Sequence, residues 1–197
     1  MKKKIILFIV VLNTMVSFAQ NQANDNSSDH LLFMGIPIDG TVHEFTLKLE
    51  QKGFTINNTK DETVILSGDF AMYKDCSVLV TFQKQKDLVY SASVIFPYCN
   101  TWDILSSNYF SLKKMLTVKY GEPSESEERF QNSQPNDDNS KMYAVQMDRC
   151  KFKTTYKTEK GTILLSIIHA EQIGTVMLQY VDNLNLISVA SKAEGDL

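Results

Sequence analysis

Apolar residues recur along this chain with two periods, one helical and one strand-like, and the alternation between them lays out a plan of elements. Val42, Phe45 and Leu49 fall at i, i+3 and i+7 on one face, which predicts a helix over about 41–52. Thr41 with Glu44 three residues later reads as a capping box, and Gly53 supplies a left-handed stop. Segments rich in β-branched and aromatic residues follow at about 54–58, 63–68, 77–83 and 88–96. Val78, Val80 and Phe82 share one face and Tyr90, Ala92, Val94 and Phe96 another, so these segments read as an antiparallel meander.

A second helix opens at Asn100 or Thr101, carries Trp102, Leu105, Tyr109, Leu112 and Leu116 on its core face, and ends at Gly121 and Pro123. Strands are expected after it at about 125–131, 142–157, 162–169 and 174–182. The polar run 131–141, with Pro135, Asp137, Asp138 and Asn139, reads as an exposed, mobile loop. Helix followed by meander thus occurs twice, with Thr41 and Thr101 in matching places. The fold class is α+β: two tandem helix-plus-antiparallel-meander units with helices packed against antiparallel sheet. The expected divisions are 1–19 signal peptide, 20–30 flexible leader, 31–99 first unit, 100–189 second unit and 190–197 frayed tail.

The first of those divisions sets the compartment. Lys2, Lys3 and Lys4 precede the apolar run 5–11, and Ser17 and Ala19 are small residues at the −3 and −1 positions of an export signal. Asn13 and Thr14 interrupt the run well short of the roughly 20 apolar residues of a membrane span. No cysteine follows the cleavage point to take a lipoprotein anchor. The expectation is a periplasmic or secreted protein with no transmembrane span after cleavage.

Charge then narrows the partners. Removing the three leader lysines leaves 17 basic against 23 acidic side chains, a net charge of −6. That balance argues against nucleic acid, whose phosphates call for clustered Lys and Arg. The 178 residues left after cleavage are enough to bury roughly 70% of the unfolded chain's surface without a disulfide. Cys76, Cys99 and Cys150 are odd in number, so at least one thiol is free or paired between molecules. A hairpin turning at 84–87 would set Cys76 opposite Ile95, about 13 Å of strand rise from Cys99. A disulfide tolerates a Cα separation of at most ~7 Å, which disfavours that pair.

Candidate chemistry is sparse. His43 and Glu44 begin a zinc-protease pattern, but the position of its second histidine is Leu47. A tight hairpin turning at Glu159 and Lys160 would set Cys150 opposite His169, and a neighbouring imidazolium activates a thiol. The same register aligns Cys150 with Phe152 and Tyr156 on a core face, which favours an inert pair. Lys151, Lys153 and Lys157, with Thr155 among them, line the other face of that strand. They form the candidate binding site, a stripe able to receive an anionic partner or a carboxylate. The competing reading is a solvated face or an edge strand protected by lysines. Asp137, Asp138 and Asn139 lack the spacing of a calcium loop. Glu125, Glu127 and Glu128 sit on one short segment and read as strand surface, and Trp102 reads as core. No catalytic residue, metal ligand or cofactor is assigned.

Four short runs carry a resemblance: Gly35-Ile36-Pro37-Ile38-Asp39-Gly40, Gln51-Lys52-Gly53-Phe54, Gly68-Asp69-Phe70 and Lys119-Tyr120-Gly121-Glu122-Pro123. Over about 31–182 the chain resembles secreted, mostly uncharacterised proteins of gut Bacteroidetes. Its repeated plan is similar to the β-lactamase-inhibitor-protein-like fold and its relatives among outer-membrane assembly lipoproteins. The resemblance implies an interaction module, not an enzyme, and transfers no site residue. The resulting expectation is an exported, noncatalytic module that binds an envelope or extracellular protein. A small-ligand-binding envelope protein is the alternative, followed by a cysteine-dependent enzyme.

Overall fold

The computed structural model describes residues 28–131, 135–170 and 173–195; the expected signal peptide, 1–19, and residues 20–27 of the expected leader lie outside them. The chain begins with a short hairpin, β1 (Leu32–Phe33) and β2 (Ile36–Pro37), followed by α1 (Val42–Glu50). Strands β3 (Thr55–Lys60), β4 (Thr63–Phe70), β5 (Tyr73–Gln83) and β6 (Leu88–Ile95) come next. Helix α2 (Trp102–Tyr120) then precedes β7 (Glu125–Phe130), α3 (Asp138–Gln146), β8 (Cys150–Lys157), β9 (Gly161–Ala170), β10 (Ile173–Asp182) and α4 (Asn183–Gly195).

The first two helices begin where their caps place them. The Thr41 hydroxyl accepts the Glu44 N–H, and the Glu44 carboxylate accepts the Thr41 N–H in return, closing the capping box of α1. Thr101 caps α2 by accepting the Ile104 N–H. Gly121, at φ +83°, ends α2 with a backbone conformation that a Cβ disfavours. All five expected core residues of α2 are buried.

Strands β3 to β10 form one sheet in the order β3-β4-β5-β6-β10-β9-β8-β7, antiparallel throughout, so the fold is α+β. β6 lies against β10, joining two four-stranded meanders edge to edge. One row, Val64, Val80, Ala92, Tyr180, Ile163 and Tyr156, crosses six strands with every residue buried. The parallel row of Leu66, Val78, Val94, Leu178, Leu165 and Thr154 is buried as well. Helix α2 packs on this inner face, with the Trp102 ring 4.9 Å from Phe130 and 5.0 Å from Phe152. Burial on this scale, at about 25 cal/mol per Å² of apolar surface, drives the folding of a chain without disulfides.

Three local expectations are corrected. The polar run 131–141 and the start of the expected strand at 142 contain α3: Asp137 caps it by accepting the Ser140 N–H at 2.9 Å, and Met142, Ala144 and Val145 are buried. A short helix needs only one cap and three apolar contacts, and residues 138–146 alternate too irregularly to advertise it. In the β5–β6 hairpin, Ile95 faces Ser77 rather than Cys76, because Tyr90 is an extra residue between the Thr81–Ser91 and Phe82–Val89 pairs. Helix α4 extends to Gly195, into the segment expected as a tail. It crosses from the β8–β9 turn, where the Asn183 N–H donates to the Lys160 carbonyl, to the β5–β6 turn, where Lys86 Nζ donates to the Ser188 carbonyl.

Candidate binding face of the sheet

Period-two alternation gives the sheet a second face, and that face is not sealed. Along β5, half-buried and buried residues alternate from Cys76 to Gln83. The row Ile65, Leu79, Ser93, Gln179, Leu164, Thr155 and Glu125 crosses seven strands on this open side. Beside it runs Ser67, Ser77, Ile95, Met177, Ser166, Lys153 and Glu127. The aliphatic members Ile65, Leu79, Ile95, Leu164 and Met177 are half-buried, whereas the small Ser93, Thr155 and Ser166 are buried. The chemistry is therefore aliphatic and hydroxyl-rich in the middle and charged toward β7 and β8.

The residues singled out in the sequence lie at that charged end. Lys151 is half-buried, Lys153 and Lys157 are exposed, and Thr155 is buried between them at 7% exposure. Strand β7 flanks β8, so these lysines do not guard a sheet edge. Across the ladder they meet acids. Glu127 lies opposite Lys153, and Lys157 Nζ reaches Glu125 Oε1 at 2.5 Å. Contact with the Lys157 ammonium lowers the Glu125 carboxyl below its usual range. Glu127 itself pairs with Arg129 at 2.7 Å. Glu128 points the other way, to Lys113 Nζ at 2.5 Å and the buried Tyr109 hydroxyl at 3.3 Å.

Other candidates fall elsewhere. His43 is exposed on α1, and Trp102 is core. All three thiols are free and buried. The β8–β9 ladder has the register that sets Cys150 against His169, but its paired residues end at Lys153 and Ser166. Burial pushes the Cys150 thiol up to about 12, the reverse of what a nucleophile needs. His169 Nε2 lies instead 3.3 Å from Asp148 Oδ1. Among the described residues no group of three or more His, Cys, Asp and Glu is placed to hold a metal ion. No described helix is long and apolar enough to cross a membrane.

The aliphatic centre of the face was not singled out from sequence, although its signal was present. Leu79, Ile95, Leu164 and Met177 alternate along their strands with Val78, Val94, Leu165 and Leu178, which are buried on the inner face. Only the order of strands in the sheet, which periodicity does not carry, brings them side by side. No family model, curated protein or solved structure matches this chain.

Proposed function

We propose that this protein is an exported, noncatalytic binding module that takes an envelope or extracellular protein on the open face of its sheet. The supporting observation is the pair of rows that cross the sheet, aliphatic and hydroxyl-bearing at the centre and lined by Lys151, Lys153, Thr155 and Lys157 at one end. A sheet face offers a broad, preorganised surface, and half-buried aliphatic side chains bordered by charge at one end are a composition suited to a protein partner. Export rests on the pattern of basic, apolar and small residues at 1–19. The raised Cys150 thiol counts against a cysteine enzyme.

Affinity capture from envelope and culture-medium fractions tests the reading. One saturable partner is expected, lost with Leu164→Glu on the open face and retained with Val118→Glu, on an α2 residue that is 83% exposed. Retention of the partner by Leu164→Glu, or capture of nothing above an unrelated acidic control, would contradict it.

A further inference from the structure

Strands β8 and β9 are paired from Lys157 and Thr162 to Lys153 and Ser166, where their ladder ends. Both strands continue. β8 runs back to Cys150 in register with β7, and β9 runs on to Ala170 in register with β10. Two strands that part while each keeps its outer neighbour leave the N–H and C=O groups that face the gap without a ladder partner.

The gap is a cleft of about 270 Å³ lined by Asp148, Lys151, Lys153, Ser166 and His169 among others. The ammonium groups of Lys151 and Lys153 have no hydrogen-bond or ion-pair partner among the described residues. Ser166 is only 8% exposed, and its Oγ is buried with no hydrogen-bond partner. A buried hydroxyl left unpaired is costly, so a ligand that supplies its partner gains affinity from it. Two ammonium groups and one carboxylate, that of Asp148, line the cleft, a balance of one positive charge. Glu127, opposite Lys153, already has Arg129 as its partner.

We propose that this cleft binds a carboxylate, held by Lys151, Lys153 and the Ser166 hydroxyl. The assignment rests on the sheet-face reading and names the chemical group that its charged end takes. A single net positive charge matches a monoanion; a phosphate group, at roughly −1.5 to −2 near neutral pH, would leave excess negative charge beside Asp148. The carboxylate is either that of a free small acid or the C-terminus of a peptide.

Amide-resolved NMR of the full chain tests the assignment, with propionate, propionamide, inorganic phosphate, and tetra-alanine bearing a free or an amidated C-terminus as probes. Saturable shifts at Lys151, Lys153, Ser166 and His169 are expected with propionate and with free-acid tetra-alanine, and not with either amide. The double variant Lys151→Gln, Lys153→Gln is expected to weaken binding by about tenfold or more, and Ser166→Ala to weaken it severalfold. Tighter binding of the free-acid peptide than of propionate makes a peptide terminus the source, and equal binding makes it a small acid. Equal shifts with the amides, tighter binding of phosphate than of propionate, or no saturation would overturn the assignment. Propionate carries no protein surface, so its response is independent of partner capture. A captured partner without a propionate response overturns the carboxylate site alone; a propionate response without a partner overturns the protein-binding reading alone.

Discussion

His30 and Asp182, 152 residues apart in sequence, meet with Nδ1 and Oδ1 3.2 Å apart. Asp182 is fully buried, and its carboxylate also accepts the Leu31 N–H at 2.7 Å and the Asn185 N–H at 2.9 Å. One side chain therefore ties down the start of the described chain, meets an imidazole and caps the first turn of α4. Asn185 extends the junction by donating to the carbonyls of Ile38 and Val89, each at 2.9 Å. Asp182→Ala leaves two buried N–H groups without an acceptor, and a loss of about 3 kcal/mol is expected in urea unfolding at neutral pH. A loss within about 0.5 kcal/mol, the range of an ordinary surface substitution, would show that the junction does not hold α4 in place.

The thiols make stability depend on pH on the alkaline side. Burial raises all three, Cys76 to about 11 and Cys150 to about 12. An unfolded thiol titrates near ~8.5, so above that pH the unfolded chain releases protons that the folded chain keeps. The contribution of these groups is whole below about pH 8.5 and is lost as pH rises toward about 12. Urea midpoints measured between pH 7 and 10 should fall, and Cys150→Ala should flatten that slope whatever it does to stability at pH 7. An unchanged slope would mean that Cys150 is solvated in the folded protein. Alkylation of the native protein should likewise be slow at all three cysteines and become rapid on unfolding.

Two glycines separate rigid from adaptable packing. A Cβ on Gly161 would collide with the backbone carbonyl of Val181 on the neighbouring strand, whereas one on Gly174 would meet the end of the Leu105 side chain at 2.6 Å. Gly161→Ala is expected to cost about 3 kcal/mol, and Gly174→Ala about 1 kcal/mol, because a leucine methyl can move and a paired strand cannot. Thermal melts of the two variants compare them directly, and the reverse order would contradict the account.

Much of this fold was legible because its signals are local. Thr41 and Glu44 close a capping box four residues long, and Trp102, Leu105, Tyr109, Leu112 and Leu116 repeat at helical spacing. Helix α3 was missed because its signal is one cap at Asp137 and a polar sequence that the tertiary contacts of Met142 and Val145 override. The lysine stripe was legible as one face of β8. Its partners on β7 and the aliphatic rows beside it were not, because they depend on β6 meeting β10 across the middle of the sheet. The bulge at Tyr90 shows the same limit: one inserted residue shifts a register that hairpin length alone would set otherwise.

Lysine acetylation rates, mapped by peptide mass with and without a soluble envelope extract, test the sheet-face claim most directly. Lys151, Lys153 and Lys157 share the open face with Leu164, whereas Lys52 and Lys114 are exposed elsewhere, the latter on α2. The account predicts that the extract slows acetylation at the first three and leaves Lys52 and Lys114 unchanged. Equal rates at all five, or protection centred on Lys114, would contradict it.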